Sequence, residues 1–198
     1  MDTVALAGLA LLIAWLLGIS LLTLFHELGH ALTALVLSHQ PIQIFLGTTP
    51  HQMKQRERLE EPTFCLGRLA FYLSLSGLPF GIGWARWPAS LSWRHSILAL
   101  LAGPVTTFLC LIVLSLTTFV LKPAAHPSAI QREVDDFFLW LLLLTCLQLL
   151  ACALPVRYPS WWPGALAGVT SDGYKIRTLL KQRKRRERKG LSDNSNSF

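Results

Sequence analysis

Long apolar segments alternate with shorter polar ones along this chain of 198 residues. Three apolar runs, at about residues 4–37, 96–121 and 137–155, contain a single acidic residue and no basic one. Each approaches or exceeds the roughly 20 residues with which a helix crosses a bilayer. The pattern therefore predicts three principal membrane-spanning helices. A further, mostly apolar piece runs from Trp161 to Ile176 and is interrupted by Asp172.

The connection between the first two predicted spans contains two short runs of a different kind. Residues 42–46 (IQIFL) and 69–76 (LAFYLSLS) are rich in β-branched or aromatic side chains and partly alternate in polarity. Such runs favour strands, and the sequence LPFGIG at 78–83 favours a turn. The tryptophans that follow indicate a return along the membrane surface. We therefore expect a small sheet within about residues 40–90.

The composition agrees with a multi-pass integral membrane protein. Hydrophobic residues make up 52% of the chain, and the mean hydropathy is +0.44. The first apolar run has no basic N-terminal flank and is far longer than the core of a signal peptide, so we expect it to stay in the mature protein. The four cysteines form no CxxC pair, and no disulfide framework is predicted.

Basic residues predict how the chain is oriented in the membrane. Of the 18 Lys and Arg residues, six lie in 38–95, two in 122–136 and ten after Pro155. Because cytoplasmic flanks carry the excess of basic residues, we expect the first connection and the C-terminus in the cytoplasm and the N-terminus outside. Residues 1–180 would then form one membrane domain.

The remaining residues, 181–198, are expected to be a basic and then disordered cytoplasmic tail. Nine basic residues fall between Lys175 and Lys189. We interpret them as an anchor that contacts anionic lipid. Nucleic-acid binding is the less favoured alternative, and no nucleic-acid partner is expected.

The charge inside the first apolar run belongs to the pentapeptide His26-Glu27-Leu28-Gly29-His30, an HExxH sequence. On a helix its two histidines lie one turn apart on the same face, so both imidazoles can bind one metal ion, with Glu27 beside them. A carboxylate within a membrane helix costs about 2.5 to 3.5 kcal/mol, so ionisable groups there usually mark a function or a buried partner. The pentapeptide predicts a metal site; a structural polar cluster is the alternative.

A catalytic zinc site takes three protein ligands and leaves one position for water, so a third ligand must come from elsewhere. Most other candidates lie in a strongly charged piece, on the opposite side of the membrane or in the tail: His51, Glu57, Glu60, Glu61, His126, Glu133, Asp135, Asp136, Glu187 and Asp193. Asp172 remains, in an apolar context near the expected cytoplasmic boundary. His39 and His95, at the ends of spans, are the next candidates.

Together these residues resemble the site-2 protease family of intramembrane zinc metalloproteases. That family has HExxH on one transmembrane helix, Gly-Pro on the next, and Asn-x-x-Pro followed by Asp-Gly on the last. Here the first motif is matched at 26–30, the second by Ala102-Gly103-Pro104, and the last by Leu154-Pro155 with Asp172-Gly173. The resemblance covers about Leu21 to Ile176.

The resemblance implies one Zn²⁺ per chain, held by His26, His30 and Asp172, with Glu27 as the catalytic base. It implies a mainly α membrane fold with a core of three principal transmembrane helices. A broken or re-entrant segment at about 164–180 would carry Asp172, and a small cytoplasmic sheet would join the first two spans. The implied activity is hydrolysis of peptide bonds in or near transmembrane segments of other proteins, in a bacterial-type inner membrane.

Two positions depart from the family pattern. The asparagine that often follows the Gly-Pro motif is replaced by Thr107, and the asparagine of Asn-x-x-Pro by Cys152, with Gln148 one turn earlier. These three side chains are expected either to support substrate or transition-state oxygens or to pack in the core. Asp172 also follows Pro155 at a longer distance than in the compact family pattern. Residues 157–163 are therefore expected to form an interfacial loop or a re-entrant break.

Several alternatives stay open on the sequence. The small sheet either binds an extended substrate by β-augmentation, to be tested by Pro or charge substitutions along 69–76, or caps the site structurally. A prenyl-protein-type zincin would need a glutamate as third ligand, and only Glu133 and Glu187 follow at a distance. A zinc-holding but non-proteolytic scaffold or chaperone is the alternative from another class.

Overall fold

The chain folds into four helices and a small sheet in the computed structural model, which describes residues 3–48, 61–75, 77–78, 81–120, 129–159, 161 and 168–188. The helices are α1 (Thr3–Leu37), α2 (Trp93–Val120), α3 (Ala129–Ala153) and α4 (Asp172–Arg188). The strands are β1 (Ile42–Leu46), β2 (Phe64–Leu66), β3 (Leu69–Leu73) and β4 (Gly83–Arg86).

Three of these helices are long and apolar enough to cross a membrane within the described part of the chain. The candidate spans are Leu12–Leu37, Trp93–Val120 and Gln131–Ala153. Their outer faces expose large apolar side chains such as Leu17, Val113 and Leu139, a surface suited to lipid. The three candidate helices among the described residues agree in number with the three predicted spans.

The third helix begins earlier than expected, at Ala129 and not near residue 137. Its first turns contain Gln131, Arg132 and Glu133, which are good helix formers. An uncharged run identifies only the part of a helix that is apolar enough for the hydrocarbon core of a bilayer. The helix itself therefore extends beyond the predicted span.

Close approach of α1 and α2 depends on small residues. Ala31, Ala34 and Ala99 are fully buried, and a Cβ at Gly29 would collide with the Thr106 side chain of α2. Small side chains let membrane helices approach closely. Helix α2 also contacts α3 and α4, so it lies at the centre of the helical part.

The sheet has the strand order β2-β3-β1-β4. Strands β1 and β3 are parallel, whereas β4 is antiparallel to β1 and β2 is antiparallel to β3. Ile42, Ile44 and Leu46 alternate on one face and pack with residues of α1 and α2 in one buried cluster. The sheet is thereby fixed against the C-terminal end of α1.

The strand prediction is correct for 42–46 and for residues 69–73 of the 69–76 run. Strands β2 and β4 were not predicted, and β4 begins at Gly83, where a turn and a surface segment were expected. Since β3 lies between β2 and β1, it does not form an edge among the described strands. Substitutions along 69–76 would disturb the interior of the sheet.

A short antiparallel hairpin connects α3 to α4. The Tyr158 N–H donates to the Val169 carbonyl at 2.9 Å, and the Ser171 N–H donates to the Val156 carbonyl at 3.0 Å. The hairpin returns the chain to the end of α3, although residues 160 and 162–167 lie outside the described part. The long Pro155–Asp172 separation is thus compatible with a compact site.

Helix α4 begins at Asp172 and continues to Arg188. The segment 181–188, expected only to be basic, is therefore helical. The predicted disorder of Leu191–Phe198 lies outside the described residues, as do parts of the predicted segments 157–163 and 164–180.

Candidate metal centre

Helix α1 presents His26, Glu27 and His30 to the interior of the protein. These side chains belong to residues that are only 3%, 7% and 3% exposed. The two imidazole rings lie edge to face with centroids 4.7 Å apart, as residues one helical turn apart can. The pentapeptide therefore forms a buried cluster at a single site.

Asp172 completes a triangle of donor atoms with the two histidines. Its Oδ2 lies 3.2 Å from His26 Nε2 and 3.1 Å from His30 Nε2, and the two nitrogens are 3.1 Å apart. In a tetrahedral zinc site with bonds of about 2.0–2.1 Å, neighbouring ligand atoms are roughly 3.3 Å apart. The spacing of the three atoms fits a single metal ion.

The hydrogen-bond partner of each Nδ1 atom determines which nitrogen of the imidazole bears the proton. His30 Nδ1 lies 2.7 Å from the Ala99 carbonyl oxygen, which only accepts, so Nδ1 donates. The Thr107 hydroxyl donates to the Gly103 carbonyl at 3.2 Å and therefore accepts from His26 Nδ1 at 2.7 Å. In the neutral imidazoles both Nε2 atoms then carry lone pairs directed toward Asp172, an arrangement that a bound cation stabilises.

The Ala-Gly-Pro motif of α2 makes this arrangement sterically possible. A Cβ at Gly103 would overlap the His30 ring. Pro104 has no N–H and cannot make the helical hydrogen bond to the Leu100 carbonyl. The adjacent carbonyl, that of Ala99, is the one that accepts from His30.

The start of α4 holds Asp172 in place through its neighbours. The Lys175 ammonium donates to Asp172 Oδ1 at 2.9 Å, which leaves Oδ2 for the histidines. Burial alone would raise the pKa of Asp172, whereas the adjacent Lys175 ammonium acts in the opposite direction and favours the charged carboxylate. The side chain is therefore a carboxylate, the form that binds metals.

Ser171 links this helix start to the end of α3. Its hydroxyl donates to the Leu154 carbonyl at 2.5 Å and accepts from the N–H groups of Val156 and Tyr174, at 3.1 Å each. The bond from Tyr174 is an N-cap for α4. A Cβ at Gly173 would collide with the Ala153 carbonyl, so the glycine of Asp-Gly permits close contact between α4 and α3.

Cys152 of α3 lies near two of these donors. Donor atoms of His26, Cys152 and Asp172 all lie within 4.8 Å of one another. This group could hold a metal ion. The sequence did not predict Cys152 as a ligand, because the family resemblance placed an asparagine there.

A cavity of about 430 Å³ opens beside the donor atoms. Residues from α1, β4, α3 and the hairpin line it, and Glu27, Gln148 and Cys152 are among them. A Cβ at Gly83 would lie 2.7 Å from Glu27 Cγ, so β4 passes directly against the predicted base. The site is therefore accessible to a molecule larger than water.

The three residues predicted to support substrate or transition-state oxygens lie in two different places. Gln148 and Cys152 line the cavity, whereas Thr107 lies behind His26 and bonds to its Nδ1. Contact with substrate stays a prediction for all three, and the hydrogen bond to Thr107 fixes the orientation of the His26 ring. The sequence analysis did not predict the roles of the Ala99 carbonyl, Lys175 and Ser171. Only Lys175 could have been predicted, because on a helix it lies one turn after Asp172.

Four other ligand candidates within the described part of the chain lie away from the donor group. His39 and His95 are exposed at the ends of α1 and α2. Glu133 is exposed near the start of α3, and Glu187 forms an exposed ion pair with Arg183 at 2.6 Å. Among the described residues, the glutamate required by a prenyl-protein-type zincin is therefore not at the site.

No family model matches this chain, and no match was found among curated proteins or solved structures. The structure itself establishes a mainly helical chain with three candidate membrane spans, a mixed four-stranded sheet and a buried group of possible metal ligands. The resemblance to site-2 proteases stays a prediction from sequence motifs.

Proposed function

We propose that this protein is an intramembrane zinc metalloprotease of the site-2 type. The observation that carries the proposal is the triangle formed by His26 Nε2, His30 Nε2 and Asp172 Oδ2, with sides of 3.1 to 3.2 Å. Glu27 lies on the same helix and lines the adjoining cavity. Two histidines, a carboxylate and a nearby glutamate are the usual components of metal-assisted peptide hydrolysis.

The donor set supports zinc as the metal, with one ion per chain. Imidazole and carboxylate ligands both suit Zn²⁺, and three protein ligands leave the fourth tetrahedral position for water. When bound, zinc lowers the pKa of water toward neutrality and polarises a carbonyl group. Thr107 and the Ala99 carbonyl keep the histidines in the tautomer that such binding needs.

Glu27 performs the proton transfers in the proposed reaction. Its carboxylate accepts a proton from the attacking water and then passes it to the leaving nitrogen of the cleaved peptide bond. The position of Gly83 against Glu27 Cγ restricts the side chain on the side of the sheet. A positioned base of this kind contributes typically about 10²- to 10⁴-fold to the rate.

Strand β4 is the proposed docking edge for the substrate. It has one neighbour, β1, among the described strands, and Gly83, Trp84 and Ala85 line the cavity beside the donor atoms. A peptide bond must leave its helix to be cleaved, and an added strand would satisfy its freed backbone groups. Leu144 and Leu147 of α3 add apolar side chains to the lining of the same cavity.

The proposed substrate is a transmembrane segment of another protein, which the protease cleaves in an inner membrane of bacterial type. We orient the chain with its N-terminus outside and its C-terminus in the cytoplasm, because basic residues are concentrated in 38–95 and after Pro155. His26 and His30 then lie toward the cytoplasmic end of their span, Leu12–Leu37. Water can reach a site at that depth.

The basic helix α4 is proposed to contact anionic lipid at the cytoplasmic surface. Its second half is exposed and rich in Lys and Arg. The Arg183 guanidinium lies over the Trp93 ring, 4.2 Å from its centroid, which is a cation–π geometry. Tryptophan near the end of a membrane helix is typical of the interface with water.

The decisive test reconstitutes the full chain in liposomes with candidate single-span membrane proteins. The intact protein should release a defined fragment, and Glu27→Gln should abolish cleavage while zinc stays bound, since the ligands remain. Glu133→Gln, an exposed change on α3, is the matched control and should cleave normally. Cleavage that survives Glu27→Gln would contradict Glu27 as the base, and zinc binding without cleavage by the intact protein would favour the non-proteolytic scaffold. Full zinc retention by Asp172→Ala would contradict the ligand set.

A further inference from the structure

Cys152 is the one donor in the group that the proposed reaction does not use. It lies near the C-terminal end of α3, and its donor atom lies within 4.8 Å of those of His26 and Asp172. It also lines the cavity that would receive water and substrate. The fourth position that three protein ligands would leave open could therefore be taken by a side chain that is itself a strong zinc ligand.

The distances allow Cys152 to reach that position. A Zn–S bond of about 2.3 Å and neighbouring bonds of about 2.0–2.1 Å put a thiolate roughly 3.6 Å from the other ligand atoms. The Cys152 donor atom lies within 4.8 Å of those of His26 and Asp172, so these two distances exceed that spacing by about 1 Å at most. A small change of side-chain torsion or helix position covers such a difference.

We propose that Cys152 is a displaceable fourth ligand, which closes the metal site while no substrate is bound. This rests on the proposed zinc site and adds a resting state to it. Zinc sites with four protein ligands are closed, whereas catalytic sites keep a position open for water. The Cys152 thiol loses its proton when it binds the metal and regains one when water displaces it, so the exchange requires no oxidant or reductant.

Cobalt substitution tests this ligand directly. The full chain in detergent is stripped of metal with a chelator and titrated with Co²⁺, and its absorption spectrum is recorded. Visible d–d bands report that the ion has bound, and a near-ultraviolet thiolate-to-cobalt charge-transfer band reports a sulfur ligand. The intact chain should show both.

Two cysteine variants complete the test. Cys152→Ser should lose the charge-transfer band, keep the visible bands and bind Co²⁺ more weakly, by at least the roughly tenfold loss that follows removal of an outer-shell partner. Cys146→Ser changes another half-buried cysteine of α3, outside the donor group, and should retain both bands.

The cobalt spectrum of the intact chain is sufficient to overturn the proposal. Visible bands without a charge-transfer band would exclude Cys152 as a ligand and leave the histidine–aspartate site standing. A charge-transfer band that persists in Cys152→Ser would also exclude it. The absence of any visible bands would overturn the metal site itself, and with it this ligand.

Discussion

Gly103 lies so close to His30 that a Cβ at this position would overlap the imidazole Nε2, the atom that faces Asp172 and His26. Gly103→Ala should therefore displace the ring and weaken zinc binding by about tenfold or more, measured by competition with a chromogenic chelator. Gly8→Ala is the control, because no described atom lies within 4 Å of its added Cβ. Equal affinities in the two variants would contradict this role of the Gly-Pro motif.

Thr107 acts through His26 and is a positioning residue. Thr107→Val removes the hydroxyl that accepts from His26 Nδ1, and zinc affinity should fall about 10- to 100-fold, as for other outer-shell partners. Thr107→Ser keeps the hydroxyl and should restore most of the affinity.

The matched control for Thr107 is Thr117→Val on the same helix, where the lost hydroxyl bonds only to the Val113 carbonyl at an exposed position. This variant should bind zinc like the intact protein. If Thr107→Val cleaves poorly with unchanged zinc affinity, the side chain contacts substrate, as the family resemblance implied.

Ser171 connects Asp172, the proposed third ligand, to the end of α3. Ser171→Ala removes three hydrogen bonds around the start of α4 and should destabilise the protein by about 1 kcal/mol while weakening zinc binding. Ser92→Ala removes a similar bond at the start of α2, to the His95 N–H. It should lower thermal stability without changing zinc affinity, and a parallel loss of both properties in Ser92→Ala would contradict the specific link.

Gly83 restricts the proposed base. A Cβ at this position would lie 2.7 Å from both Glu27 Cγ and Thr23 Cγ2, so Gly83→Ala should move the Glu27 carboxylate. Misplacing a catalytic group by about 1 Å can cost on the order of 10²-fold in rate. We expect kcat to fall while zinc content stays constant; loss of zinc instead would mean that the change disturbs the ligands.

The number of spans was predictable because hydropathy alone determines which helices suit a bilayer. The residues of β1 were predictable for a related reason: Ile42, Ile44 and Leu46 need one buried face. Strand β4 was not predictable, since Gly83–Arg86 has no marked alternation and is fixed by pairing with β1. The start of α3 was misjudged because its first turns are polar.

Within the candidate site, the histidine pair could be read from spacing within one helix. Asp172 could be predicted only by eliminating other candidates and from the family resemblance. Its distance from His26 depends on the hairpin before α4, which no local sequence pattern predicts. The role of the Ala99 carbonyl could not be predicted, because every residue has a backbone carbonyl and the sequence does not show which one accepts a hydrogen bond. Cys152 differs again: its place in the motif predicted either support for substrate oxygens or core packing, and its neighbours in space, His26 and Asp172, could hold a metal ion with it.

The hairpin before α4 also sets the order in which the centre can be assembled. His26 and Asp172 are separated by 146 positions, and a chain is synthesised from its N-terminus. While α1 to α3 enter the membrane, Glu27 lies beside two imidazoles without their carboxylate partner. If the chain has the proposed protease activity, that activity would be acquired only after the last helix has folded, and a truncated or incompletely inserted chain would be inactive.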